Sequence, residues 1–230
     1  ANVVKNSSNQ AVVPFKLISR HEDSSIRIYN NSVVVETLVS SNLPPNPKNI
    51  WTIKKRLDDD AHSYVALAFH NYTILLNISG ESMQTLSFSN SAPFIMKNDT
   101  TIYMTILNPN IIVQVCTNQF VQVVTTEDTS EFKQIHEWFP PAGIQIITAT
   151  ATFTQLIVAL SNNTVVYFEL NTVNNSLMES SKTLVFDNKI AKIAMDQNKF
   201  RSSDLIVATD DDQLINIICL DTKSPNFMEI

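Results

Sequence analysis

The sequence predicts an all-β protein made of repeated hairpins, and three observations support this. Short apolar segments alternate with short polar turns along most of the chain. These segments are rich in Val, Ile and Thr, whose branched side chains favour strands. The 230 residues include only 2 glycines but 24 asparagines, so Asn, Asp and Ser are expected to form the turns. With 44% hydrophobic and 17% charged residues, the chain can build a buried core.

Five hairpins are predicted in order along the chain. Each consists of an apolar strand, a polar turn and a second strand. Central strands that are buried on both faces should be continuously apolar, as residues 156–160 are. The predicted pairs are 15–18 with 26–29, 64–69 with 73–78, 101–106 with 111–115, 156–160 with 164–170, and 205–209 with 214–220.

The hairpins recur at a regular interval. Their turn centres lie near residues 22, 71, 109, 162 and 211, about 47 residues apart on average. That period is typical of β-propeller blades. Because Gly-His and Trp-Asp punctuation is absent, the sequence predicts a divergent WD-type propeller with about five visible blades, part of a seven-blade ring. An immunoglobulin-type sandwich is disfavoured because it closes in about 100 residues without such a repeat.

Residues 1–230 are expected to form part of a single β-propeller domain within a longer chain, since the start lacks an initiator Met and a signal sequence. Residues 41–48 are rich in proline and predict an exposed extended connection. Residues 131–138 are compatible with either a strand or a short helix. Residues 182–196 predict an outer strand, a turn at 187–188 and the entry to the next blade.

Charged residues offer two candidate clusters. The runs Asp58–Asp60 and Asp210–Asp212 lack the alternating oxygen ligands and the glycine of a calcium loop, so both predict solvated turns. The basic run Lys54–Arg56 leads directly into the first acidic run and predicts a self-compensating segment. The net charge of −6 and the pI of about 5.1 disfavour general nucleic-acid binding. The longest apolar run, at 64–69, is far shorter than a membrane span.

No catalytic, cofactor-binding or metal site is predicted. The histidines show no metal-ligand spacing, and the two cysteines lie too far apart to form a cysteine framework. Two glycines are too few for glycine-rich phosphate loops or a nucleophile elbow. The residues considered are His21, His62, His70, His136, Cys116 and Cys219. Trp51 and Trp138, with Phe139, are expected to fill space between blades, and the alternative is that they anchor a partner.

Several strings together resemble one known family. Residues 47–55 precede an acidic stretch and the apolar hairpin at 64–76; Gly80-Glu81, 136–138, 157–160 and 165–170 then follow in order. The series is similar to the second β-propeller of the large propeller subunit of the splicing factor 3b complex. That family is related to the large subunits of the damaged-DNA-binding and cleavage/polyadenylation complexes. The Asn-rich, Gly-poor composition suggests a budding-yeast-like version.

The resemblance implies a non-enzymatic scaffold in the nucleus, within the U2 small nuclear ribonucleoprotein. There the complex supports branch-site recognition and prespliceosome assembly. The implied partners are a HEAT-repeat subunit, a small helical subunit and the other members of the complex, with RNA contacted mostly indirectly and no membrane. The family pattern defines no contact residues in this propeller, so none is assigned here.

Two alternatives remain open at this stage. The related complexes suggest an adaptor of a cullin ubiquitin ligase or a subunit of the cleavage/polyadenylation machinery. A glycosidase-like enzyme would need carboxylates that converge at the propeller axis. The acidic residues of this chain fall in predicted turns, which argues against an enzyme.

Overall fold

A computed structural model describes residues 4–5, 11–12, 15–20, 26–31, 44–79, 82–85, 99–125, 132–196, 203–209 and 215–220. The chain divides into two compact units, and the boundary lies between Ser40 and Ser41. In the first unit, β1 (Val4–Lys5) pairs with β2 (Ala11–Val12), and β3 (Phe15–Arg20) pairs with β4 (Ile26–Asn31). Both pairs are antiparallel.

The described residues of the second unit form four antiparallel sheets, numbered in chain order. Within each sheet the strands lie in sequence order. Sheet 1 contains β5 (Asn49–Ile53), β6 (Tyr64–Ala68), β7 (Thr73–Ser79) and β8 (Ser82–Thr85). Sheet 2 contains β9 (Thr101–Leu107), β10 (Ile111–Cys116), β11 (Phe120–Thr125) and β12 (Phe132–Trp138).

Sheets 3 and 4 continue the pattern. Sheet 3 contains β13 (Ile146–Ala151), β14 (Gln155–Leu160), β15 (Thr164–Asn171) and β16 (Ser176–Val185). Sheet 4 shows three described strands, β17 (Ile190–Asp196), β18 (Ser203–Thr209) and β19 (Ile215–Leu220). Every regular element among the described residues is a strand, and none is a helix that could cross a membrane.

All five predicted hairpins are confirmed as antiparallel pairs. They correspond to β3 with β4, β6 with β7, β9 with β10, β14 with β15, and β18 with β19. The second strands of sheets 1 to 3 are the most completely buried strands among the described residues. Every residue of β6, β10 and β14 is buried, as expected for strands covered on both faces.

Successive sheets of the second unit pack face to face, and each pair shares a hydrophobic core. Leu75 of sheet 1 packs with Ile112 and Val121 of sheet 2. Sheets 2 and 3 meet through a cluster that includes Phe120 and Phe168, and a third cluster joins sheets 3 and 4. The first strands of neighbouring sheets also contact one another, β5 with β9, β9 with β13, and β13 with β17. This radial order places each first strand innermost, as in a propeller.

Asparagine replaces glycine in the turns, as the composition predicts. Asn46, Asn163 and Asn175 adopt left-handed conformations with φ values of 62°, 63° and 56°. Asn tolerates this region better than other non-glycine residues because its short side chain bonds locally. Only one of the two glycines falls in the described part with a positive φ, namely Gly143 at 80°.

We expect replacement of Asn163 by alanine to lower local stability by about 1 kcal/mol, because alanine pays the full steric cost of the left-handed region. Glycine at the same position should leave stability unchanged or raise it slightly. Hydrogen exchange of the β14–β15 hairpin in the full-length protein measures both effects. Equal exchange in the alanine and glycine variants would contradict the turn assignment.

The structure also bears on the other segments for which the sequence makes a prediction. Residues 132–138 form a strand rather than a helix. Within the predicted connection at 41–48, residues 44–48 are exposed and irregular, as predicted, and residues 41–43 lie outside the described residues. The turn at 187–188 separates β16 from β17, as predicted. His21, Asp210–Asp212 and the Gly80-Glu81 string lie outside the described residues, as does the Cys219 side chain. The single-domain assignment of residues 1–230 stays a prediction.

Candidate interaction surfaces

The described residues contain no group of three or more His, Cys, Asp or Glu side chains placed to hold a metal ion. His62 and His70 are exposed in connections of sheet 1, whereas His136 is half-buried on β12. Burial raises the pKa of the Cys116 thiol to about 12 against the opposing hydrogen bond with Thr101. A thiol of such high pKa is a poor nucleophile.

Three turns converge at one end of sheets 1 to 3. The β5–β6 connection is tied to the β9–β10 turn because Leu57 N donates to Pro109 O over 2.9 Å. The β9–β10 turn is tied in turn to the β13–β14 turn, where Asn108 N donates to Phe153 O over 2.8 Å. These backbone bonds fix the relative positions of turns from three sheets.

A pocket of about 270 Å³, called the central pocket below, opens between these turns. Its polar wall includes Thr52, Lys54 and His62 from sheet 1 and its β5–β6 connection. Residues 104–106 of the inner strand β9 form the wall from sheet 2. Sheet 3 contributes Thr152 and Phe153. Because all three sheets contribute, the pocket lies beside the innermost strands.

In the β5–β6 connection, Arg56 contacts the acidic run as predicted. Arg56 Nε lies 3.5 Å from Asp58 Oδ1, and Arg56 N donates to Asp59 Oδ2 over 2.8 Å. Lys54 takes a different direction: it lines the central pocket, and its Nζ donates to Leu57 O over 3.4 Å. Lys54 and Arg56 belong to the same basic run of the sequence, but they therefore have different surroundings.

The tryptophans pack between sheets, which confirms the structural prediction for both. The Trp138 ring stacks on Phe120 with centroids 5.6 Å apart and meets Phe168 of sheet 3 edge-on at 5.1 Å. Its Nε1 donates to Glu179 Oε2 on β16 over 2.8 Å. Trp51 packs against the core shared by sheets 1 and 2. The same prediction is wrong for Phe139, which is 58% exposed and precedes Pro140 and Pro141.

Buried amides form further ties. Gln122 Oε1 on β11 accepts a hydrogen bond from Leu177 N on β16 over 2.8 Å and so joins sheets 2 and 3. Within sheet 3, Gln155 Nε2 donates to the Tyr167 hydroxyl over 2.9 Å. Burial raises the pKa of Tyr167 to about 12 despite this bond. A buried bond between sheets makes their relative placement specific, because a shifted sheet would leave polar groups unpaired.

His136 predicts a measurable pH dependence. Burial lowers the pKa of its imidazole, and nearby Glu137 opposes this shift. The unfolded chain therefore binds the proton more tightly, so stability should fall as pH drops below the ordinary value of 6.5 and level off below the lowered pKa. Hydrogen exchange of β11–β12 between about pH 7.5 and about pH 5 tests this.

His136→Gln should weaken that pH dependence, whereas His70→Gln, at an exposed position, should leave it intact. The same slope in all three proteins would contradict the assignment to His136.

Apart from the central pocket, an exposed apolar surface lies on sheet 4. Ile215 and Ile217 alternate on one face of β19 and are 68% and 66% exposed. Their cross-strand partners on β18 are Ala208 and Ile206, and both are half-buried. The opposite face of the same sheet packs against sheet 3. We call this exposed surface the outer face of sheet 4.

Neither the central pocket nor the bond between Gln122 and Leu177 was predicted from the sequence. The pocket joins residues from three repeats, and the bonded residues lie 55 positions apart. The available signal for the pocket was the position of Lys54, directly after the inner strand β5 and ahead of the acidic run at 58–60.

Four face-packed antiparallel sheets with adjacent innermost strands define a β-propeller, the class predicted from the repeats. The chain belongs to the family described as the RSE1/DDB1/CPSF1 second beta-propeller, whose model matches residues 35–228. This result confirms the family resemblance found in the sequence.

Individual relatives agree with the family match. The chain is 32% identical over 202 residues to pre-mRNA-splicing factor RSE1 of Candida glabrata, which covers 87% of the chain and 15% of that protein. The RSE1 protein of Saccharomyces cerevisiae is 31% identical over 221 residues, covering 94% of the chain and 16% of that protein. Splicing factor 3B subunit 3 of Drosophila melanogaster is 27% identical over 157 residues, 68% of the chain and 12% of that protein. The chain therefore spans about a sixth of the length of its yeast relatives.

Proposed function

We propose that this propeller is part of a scaffold subunit of the splicing factor 3b complex and acts in pre-mRNA splicing without catalysing a reaction. The observation that carries the proposal is the match to proteins named as splicing factors in two yeasts and a fly, over most of the chain. The intact protein would work in the nucleus with the U2 small nuclear ribonucleoprotein and support branch-site recognition.

The physical features of the propeller support a scaffold role. Its sheets are joined by apolar cores and by bonds such as Trp138 to Glu179 and Leu177 to Gln122, which hold the surface in a fixed shape. Exposed apolar side chains such as Phe139 offer contacts to protein partners. A HEAT-repeat subunit and a small helical subunit are the proposed partners, and RNA is contacted mostly indirectly. The whole chain of residues 1–230 is proposed to belong to this one propeller.

The family also contains subunits of other complexes, so the experiment must distinguish them. We would purify the tagged full-length protein from nuclear extract, sequence the bound RNA and identify the bound proteins by mass spectrometry. Recovery of U2 small nuclear RNA together with a HEAT-repeat splicing subunit is expected. Recovery of a cullin, or of cleavage and polyadenylation factors, without small nuclear RNA would overturn the proposal.

A further inference from the structure

We propose that the central pocket is a docking site for one acidic side chain carried by a peptide segment of a protein partner. The pocket walls come from three sheets that are tied together by Leu57 N to Pro109 O and by Asn108 N to Phe153 O. The site is therefore formed before any ligand arrives, which lowers the entropic cost of binding.

The positive charge of Lys54 in the wall of the central pocket favours a negatively charged ligand. Lys54 lines the pocket, and among the described residues its ammonium group makes a long contact of 3.4 Å with Leu57 O. An ammonium group has three protons to donate, so Lys54 can bind an incoming carboxylate. Among the described residues that line the pocket, none is Asp or Glu. The nearby Asp58 and Asp59 are engaged with Arg56 instead.

A hydroxyl group lines the same pocket as this cation. Thr52 and Lys54 are two positions apart along an extended segment, on the side opposite the buried Ile53. Thr52 also lines the pocket and is exposed, so its hydroxyl can donate to the second oxygen of the same carboxylate. The hydroxyl of Thr152 is occupied differently, because it donates to Gln155 Oε1 over 3.0 Å.

The remaining walls fit the apolar part of a peptide. Leu57, Met104 and Phe153 line the pocket, and Phe153 is 45% exposed. The volume of about 270 Å³ is at the small end of ligand sites. It therefore suits one or two side chains better than a large cofactor.

A nucleic acid is a poorer fit than an acidic peptide. Phosphate backbones are held by several cations along their path, whereas Lys54 is the single Lys or Arg among the described lining residues. The chain as a whole carries a net charge of −6, which repels a polyanion. One carboxylate with apolar neighbours needs only one cation and a partly apolar wall.

Peptide arrays test the proposal with the purified full-length protein. The probes are heptapeptides with randomised apolar flanks and a central Glu, Gln or Lys, and a polyuridine RNA is offered in parallel. We expect Glu peptides to bind about tenfold or more tightly than the matched Gln peptides, as for a charge-assisted hydrogen bond. The test is independent of the proposed role in splicing, because it needs no other component of a complex.

Three variants locate the binding. Lys54→Gln should abolish the preference for Glu peptides over Gln peptides. Phe153→Ala should weaken the binding of both peptides and leave the ratio of their affinities unchanged. Lys133→Gln removes an exposed lysine on β12 that does not line the pocket, so it should change nothing. Hydrogen exchange of β5 and β9 checks that each variant is folded. Equal binding of Glu and Gln peptides, a Glu preference that survives Lys54→Gln, or RNA binding that is lost in Lys54→Gln would overturn the proposal.

Discussion

Replacing Phe168 by alanine is expected to lower the local free energy of unfolding by about 3–5 kcal/mol. Phe168 is fully buried between sheets 2 and 3, where its ring meets Phe120 at 5.0 Å and Trp138 at 5.1 Å, both edge-on. The substitution removes both aromatic contacts and leaves a cavity that rigid sheets refill poorly. The loss should extend to both sheets because they share this core.

Hydrogen exchange of peptides from β11, β12 and β15 in the full-length protein measures this loss. Val173→Ala is the matched control, since Val173 is 93% exposed and should tolerate truncation. A loss of about 1 kcal/mol or less for Phe168→Ala would contradict the shared core between the two sheets.

Replacing Ile217 by lysine is expected to have opposite effects in two contexts. In a propeller each sheet is covered by neighbours on both faces. Ile217 lies on the outer face of sheet 4 and is 66% exposed in this chain. In the full-length protein, where we expect another blade to cover that face, lysine should destabilise sheet 4 by about 3 kcal/mol, through lost apolar burial and a buried charge.

The 230-residue chain expressed alone should respond in the other direction. An uncovered apolar face promotes association, so the wild-type piece should aggregate and Ile217→Lys should raise its monomeric fraction. Sedimentation measures the monomer, and hydrogen exchange measures the full-length protein. A wild-type piece that stays monomeric with a sharp, reversible thermal transition would contradict the prediction, as would a full-length variant with unchanged exchange.

The hairpins could be predicted because the relevant forces are local. Alternation of apolar strands and polar turns fixes which neighbouring segments pair, as with β14 and β15. The shortage of glycine likewise predicted left-handed asparagines, which the structure places at Asn46, Asn163 and Asn175. Hairpin pairing and left-handed turns each depend on a few residues that are adjacent in the sequence.

The contacts between sheets could not be predicted in the same way. The bond from Leu177 to Gln122 depends on the register of two sheets and on an irregularity in the pairing of β11 with β12 between Gln122 and Val123. The pairing of β15 with β16 also shifts, between Val166 and Phe168. The sequence of one strand does not report such shifts, because the register depends on which residue of the partner strand lies opposite.

The central pocket shows the same limit for function. Its lining residues, from Thr52 to Phe153, come together only when three sheets stack with their first strands innermost. The sequence identified Lys54 as part of a charged run, but the separation of Lys54 from the paired Arg56 and Asp58 is a tertiary feature. Family membership, by contrast, was recognisable from ordered strings because they follow one another along the chain.

The proposed role in splicing is tested most directly by restoring splicing to an extract. A cell extract is depleted of the full-length protein, and processing of a labelled pre-mRNA is followed with and without the purified subunit or its complex. We predict that depletion blocks prespliceosome formation and both splicing steps, that the added complex restores them, and that cleavage at the 3′ end is unaffected. Normal splicing in the depleted extract, or a loss of 3′-end cleavage alone, would contradict the account.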